Sequence, residues 1–314
     1  MDTSDAMLAL RGAGVRAVAE DASTLRTPDG DRIRVQHLRR TPTPSKVAFE
    51  LANLRPGERA LLIVPSITSS LRAAAEVDHR IIVAAGDELI MNGKYEPRAD
   101  AATTPKPRRG PRPYGEFAVA RALLAPQPER PVVQAELAAR TGLKQPAVSD
   151  ALKKLGDLVD RSRVGFEPAD RAKLFDYAAT EYPGAGGITT YWWHDSPIRA
   201  QGSMVVNATE DALVGGDLAA SAINGWRQPE HALLYLHSGI DPTQFGFVAA
   251  TREDYTLELV VPNDKTLWKT SEAFHVPDIT DPVITYFDVR RTGFTGDQDE
   301  AAEKVRNTVV VAHQ

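Results

Sequence analysis

The sequence predicts an α+β fold of several domains, on three observations. Continuous apolar runs alternate with helical stretches over residues 45–97 and again after residue 168. Two short helical patterns joined by a tight turn, then an apolar–polar–apolar stretch, occupy residues 114–166. A Pro-rich, basic segment without periodicity lies before them at 99–113. The expected boundaries are 1–98 for a small N-terminal α/β domain, 99–113 for a linker, 114–167 for a central helical unit with a hairpin, and 168–314 for a C-terminal α+β domain.

Taken in order, residues 1–45 are polar, with a weak helix or strand signal at Ala6–Leu10 and Val15–Val18. Ser45 is placed to cap a helix over Lys46–Asn53, which Arg55-Pro56-Gly57 ends. Ala60–Val64, Arg80–Ala84 and Glu88–Met91 read as strands, with a helix over Ser66–Ala75 and an Asn92-Gly93 turn. Beyond residue 168, helices are expected at Asp170–Thr180, Leu213–Asn224, Pro282–Arg291 and Gln298–Val311. Strands are expected at Ile188–Trp193, His231–His237, Phe245–Ala249 and Thr256–Val261.

Charge is uneven along the chain. Residues 105–113 hold four cations and no acid, and 114–166 hold eight cations against six acids, so these stretches carry +6. The whole chain carries −5, which leaves −11 for the rest. A basic island in an acidic chain is the expected footprint of a local polyanion site. Cysteine is absent, which favours a reducing compartment, and the first residues show no basic-then-apolar leader. No run approaches the ~20 apolar residues of a membrane helix. A cytoplasmic protein without membrane contact is therefore expected.

Within the island, Gln134–Leu155 has the spacing of a helix-turn-helix. Ala138 is small where two steeply crossed helices must touch, and Gly142, four residues on, tolerates positive φ. Val148, Leu152 and Leu155 give the second helix an inner face. Pro146 suits its first turn, where the missing N–H is not needed. A preceding helix at Glu116–Leu124 supplies the third side, and Leu158–Phe166, with two arginines at its centre, reads as a β-hairpin wing. The whole predicts a winged helix-turn-helix, and double-stranded DNA as partner. Lys144, Gln145, Pro146, Ser149 and Asp150 would open the reader helix toward base edges. Lys153, Arg161 and Arg163 would meet phosphates, as would Arg108, Arg109 and Arg112 in a linker arm.

Three stretches in this order also resemble one family. They are Leu61–Pro65 with Ile81–Asp87, the winged helix with Pro146-Ala147-Val148-Ser149, and Val214–Ala220 with Arg227–Leu236 and Asp281–Val289. Over about residues 45–310 the chain resembles the AbiEi-type antitoxins of type IV toxin–antitoxin systems, in a long form with an extra N-terminal α/β domain. The resemblance implies an autorepressor of its own promoter, an antitoxin-like C-terminal domain and a nucleotidyltransferase-like toxin as partner. It also implies a nuclease-like fold for the N-terminal domain. Asp87, Glu88 and Lys94 are present there, but no Glu-x-Lys is, so that domain is read as inactive or as a contact platform. Winged-helix regulators commonly pair, which makes a homodimer an expected partner, although no heptad marks one.

Enzyme chemistry finds little purchase in the sequence. Gly215-Gly216 is followed by Asp217, not by the Ser of a nucleotidyltransferase turn, and Asp297-Gln298-Asp299 sits where acids cap a helix. Gly184–Gly187 precedes an aromatic strand, not the helix of a phosphate cradle. His194-Asp195 beside Trp192-Trp193 reads as the edge of an aromatic core, and the other histidines are scattered. A non-enzyme is expected, with no catalytic residue, metal ligand or cofactor assigned. Two alternatives stand beside the regulator: a replication or partition factor of a mobile element, and a metal-dependent nuclease.

Overall fold

A computed structural model describes residues 2–86, 88–97, 114–126, 131–225, 228–292 and 296–311. The polar N-terminus is more ordered than its composition suggests. Helix α1 (Thr3–Gly12) is held by a reciprocal cap: the Asp2 carboxylate accepts from the Asp5 N–H, and Asp5 accepts from the Asp2 N–H. Strands β1 (Val18–Ala19), β2 (Thr24–Arg26) and β3 (Arg32–His37) follow. In β3 only Ile33 and Val35 are buried, alternating with polar residues, so its inner face is two side chains long. Helix α2 (Pro44–Ala52) begins two residues before the expected start. Thr43 provides the capping hydroxyl to Lys46 N–H and Pro44 the preset φ of the first turn, so the pair outcompetes Ser45.

Next come β4 (Glu58–Ile63), α3 (Ser69–Val77), β5 (Ile81–Ala85), β6 (Glu88–Met91) and β7 (Lys94–Pro97). Asn92 and Gly93 both take positive φ (53° and 70°), as a two-residue hairpin turn requires. The seven strands lie side by side in sequence order, parallel across β3–β4–β5 and antiparallel elsewhere. Parallel neighbours need a crossover, and α2 and α3 supply the two. Val47, Leu71 and Ala75 of these helices cover Ala60, Leu62, Ile81, Val83 and Ile90. That burial explains why β4 and β5 read as unbroken apolar runs.

The central segment holds α4 (Tyr114–Leu124), α5 (Gln134–Thr141) and α6 (Gln145–Leu155), then the hairpin β8 (Val159–Arg161) and β9 (Phe166–Pro168). Beyond it lie α7 (Arg171–Thr180), β10 (Ile188–Trp193), α8 (Ile198–Asn207), β11 (Leu213–Gly215), α9 (Gly216–Asn224) and β12 (Ala232–Tyr235). The chain then runs through β13 (Val248–Ala249), β14 (Leu257–Val261), α10 (Leu267–Ala273), α11 (Pro282–Thr292) and α12 (Gly296–Val310). Two expectations need correction. Leu213–Asn224 is not one helix: Gly216 at φ +54° breaks it, and Leu213–Gly215 pairs with Leu233–Tyr235 as a strand. Phe245–Ala249 is not one strand either. A 3-10 turn over Pro242–Phe245, capped by Asp241, ends in Gly246 at φ +89°, and only Val248–Ala249 is extended.

The contacts gather these elements into two units, each built from segments far apart in sequence. The first comprises Met1–Pro107, Gly186–His194 and Leu236–Pro262. It contains the seven-stranded sheet and the antiparallel strands β13, β10 and β14. The second comprises Arg108–Ala185, Asp195–Tyr235 and Asn263–Gln314. Its core runs without interruption from Val119, Leu123, Leu137, Val148 and Leu155 to Leu174, Phe175, Phe274, Val283 and Val309. Helix α4 is buried all round, from Phe117 to Leu124, and packs against α5, α6, α7 and α10.

Candidate nucleic-acid interface

The candidate interface is built on the turn between α5 and α6. Gly142 adopts the left-handed conformation (φ +69°) that stops α5, and Lys144 caps α6 in extended conformation with no side-chain hydrogen bond. Pro146 lies in the first turn of α6. The Gln134 amide donates to the Gln145 carbonyl at 2.8 Å, fastening the start of α5 to the start of α6. Val148, Ala151 and Leu155 are buried, and Leu152 is half-buried. That leaves Lys144, Gln145, Pro146, Asp150, Lys153 and Lys154 exposed, with Ser149 half-buried. Lys153 reaches Asp150 at 3.4 Å, but both side chains are about three-quarters open to solvent, so the pair is weak and exchangeable.

A single 3-10 turn, Gly156–Leu158, leads from α6 into the β8–β9 hairpin. Its tip is closed by the Ser162 N–H to the Gly165 carbonyl at 2.9 Å, and the Ser162 hydroxyl accepts from the Val164 N–H at 3.2 Å. Arg161, Arg163 and Val164 stand exposed on this tip, and the Arg161 guanidinium lies 5.8 Å from the Phe166 ring centre. Asp160 and Glu167 face one another in the stem, so positive charge is confined to the tip. Val132 pairs with Phe166 through two backbone bonds of 2.8 and 2.9 Å, a single bridge on the edge of the hairpin.

That pairing leaves no room at Gly165, where a Cβ would lie 2.7 Å from the Val132 carbonyl oxygen. Gly165→Ala is therefore expected to detach the hairpin from Val132 and destabilise the second unit by about 1–3 kcal/mol. Urea denaturation checks it, and a midpoint unchanged from wild type would refute the tight approach.

Among the described residues of 114–166, two cations do not face solvent as a polyanion contact. Arg140 is tied to Glu136 at 2.7 Å and to the Ala122 carbonyl at 3.3 Å. Arg121 is wholly buried. Its guanidinium meets Asp281 and Asp264 at 3.1 Å each and the Thr266 hydroxyl at 2.7 Å. The Tyr182 hydroxyl donates to Asp264 at 2.8 Å and the Thr270 hydroxyl to Asp281 at 2.8 Å. Asp281 also accepts from the Val283 and Ile284 N–H groups at the start of α11. Burial alone would depress the Arg121 guanidinium; Asp281 and Asp264 overcome it and hold the guanidinium above its ordinary value. Burial first, then Asp264, pushes Tyr182 well above the usual phenol range. This network fixes α4, on which α5 and α6 are seated. No pattern in the sequence marks it, since its members come from four separate segments.

Arg108, Arg109, Arg112 and Asp87 lie outside the described residues. Glu88 is engaged by Arg72 at 3.0 Å. Among the described residues, no group of three or more His, Cys, Asp or Glu side chains could hold a metal ion. Nor is any helix there long and apolar enough to cross a membrane. Compared with known protein families, curated proteins and solved structures, the chain matches none.

Proposed function

We propose that α4, α5, α6 and the β8–β9 hairpin form a winged helix-turn-helix with which this protein binds double-stranded DNA as a transcriptional regulator. One observation carries the reading. Helix α6 and the β8–β9 hairpin, joined by a single 3-10 turn, present Lys144, Gln145, Arg161 and Arg163 to solvent from one apolar core. Helix α6 then enters the major groove with Lys144, Gln145, Ser149 and Asp150 toward base edges, while Lys153, Arg161 and Arg163 hold phosphates. The family resemblance adds two further proposals: repression of the protein's own promoter, and antagonism of a nucleotidyltransferase-like toxin.

The test is fluorescence anisotropy with DNA from upstream of the protein's own gene and with scrambled DNA, across a salt series. Lys144→Ala/Gln145→Ala is expected to lose roughly 1–3 kcal/mol of discrimination between the two DNAs. Arg161→Ala/Arg163→Ala is expected to weaken both and to flatten the log–log salt slope by about 0.9 for each phosphate no longer neutralised. Binding that prefers neither DNA and ignores both variants would refute the reading. Specific binding to other sites, with none at the promoter, would favour a replication or partition factor.

A further inference from the structure

The first unit carries a groove that the DNA-binding reading leaves unused. It is lined by Arg16, Ala17 and Val18 on one side and by Arg26, Thr27, Pro28 and Gly30 on the other, with Asp241 beside them, and its volume is about 320 Å³. Local structure fixes both walls. Val18 pairs with Arg26 across β1–β2. Beyond Arg26 the chain reverses in a tight turn: the Gly30 N–H donates to the Thr27 carbonyl at 3.0 Å, and Gly30 takes φ +91°. Thr27 is held in place by the Asp31 N–H, which donates to its hydroxyl at 3.1 Å.

The charges are distributed in an uncommon way. Arg16 and Arg26 are both exposed, and among the described residues neither guanidinium has a hydrogen bond or an ion pair. Neighbouring acids are already engaged. Asp241 accepts from Arg11 at 3.0 Å and from the Thr243 N–H and hydroxyl at 3.2 and 2.8 Å. Burial would raise its carboxyl, but the Thr243 and Arg11 bonds prevail and keep it below the usual range. Glu20 is taken by Arg32, and Asp21 accepts from the Ser23 N–H at 2.7 Å. Asp29 sits between Pro28 and Gly30 in sequence but does not line the groove. Beside Asp241, which Arg11 already holds, the groove has two guanidinium forks without an ion pair, and a guanidinium fork matches the paired oxygens of a phosphate. It has no aromatic ring to stack on a base or sugar. What it can recognise is the phosphate alone.

We infer that this groove is an anion site that binds a phosphate group between Arg16 and Arg26, independently of the winged helix. The phosphate can belong to a free nucleotide or to a nucleic-acid backbone, and the experiment separates the two. Full-length protein carrying Arg161→Ala/Arg163→Ala, which removes the hairpin's cations, is titrated with mant-ATP and with a fluorescein-labelled duplex of scrambled sequence. At least one probe is expected to bind. Adding Arg16→Ala/Arg26→Ala should weaken that binding by about tenfold or more. The thermal midpoint should not move, because both side chains are exposed and unbonded. Loss of mant-ATP binding identifies a free phosphate ligand, and loss of duplex binding a nucleic-acid backbone. The inference is overturned if neither probe binds, or if the groove variants bind both probes as the parent does.

Discussion

Arg121→Ala is expected to destabilise the second unit by roughly 3–5 kcal/mol, because it leaves two carboxylates buried without their cation. Both Asp264 and Asp281 have no accessible surface, and between them they hold one guanidinium. Hydroxyls from Tyr182, Thr266 and Thr270 and the N-terminus of α11 contribute hydrogen bonds, but none of them carries a full positive charge. A loss of that size is a large part of the ~5–15 kcal/mol that holds an ordinary domain together. Arg121→Lys should fall between wild type and Arg121→Ala: it restores charge but cannot reach Asp264, Asp281 and Thr266 with one planar fork. Urea unfolding followed by circular dichroism reads both variants. A loss below about 1 kcal/mol for Arg121→Ala would show that water reaches the carboxylates.

Gly187→Ala is expected to have a comparable effect in the first unit. Gly187 enters β10 at φ +88°, where an L side chain is strained by about 1–3 kcal/mol before any contact is considered. Its Cβ would also lie 1.9 Å from the Val261 carbonyl oxygen and 2.9 Å from the Pro262 Cα, both backbone atoms. The next residue, Ile188, is the Cα partner of Val261, so relief requires opening the end of the β10–β14 ladder. Together these put the loss at about 3 kcal/mol or more. Hydrogen exchange should show the amides of Ile188–Tyr191 losing protection first. Wild-type protection across that strand would rule the close approach out.

What can be read from the sequence depends on how local the determining interactions are. Strands β4 and β5 are buried on long apolar runs, and runs are visible. The α5–turn–α6 spacing is visible too, because Gly142, Val148 and Leu155 act within one turn or one helix face. Strand β3 is not visible, because only Ile33 and Val35 face inward, and two residues do not establish a period. Helix α8 is hidden by Gly202 in its interior, where a Cβ would lie 2.8 Å from the end of the Leu218 side chain. Of the candidate site, Lys144, Gln145, Lys153, Arg161 and Arg163 are exposed on α6 and on the hairpin tip. Charge counting cannot separate them from Arg121, whose partners Asp264 and Asp281 lie 143 and 160 positions away. A cation's role depends on what the fold brings beside it.

Helix α4 also bears on how such a protein is inherited. Phe117 stacks on Tyr177 of α7, Glu116 accepts from the Tyr177 hydroxyl, and Arg121 reaches to residues 264 and 281, so from Phe117 to Leu124 the helix turns no face to water. A short segment of three helices and a hairpin invites treatment as a cassette that recombination can move between proteins. Residues 114–168, cut out alone, would lose the partners of α4 and expose a wall of apolar side chains. Residues 114–168 and the helices α7, α10, α11 and α12 must then travel as one heritable piece. Substitutions in those distant helices will be selected partly for how they seat α4, α5 and α6.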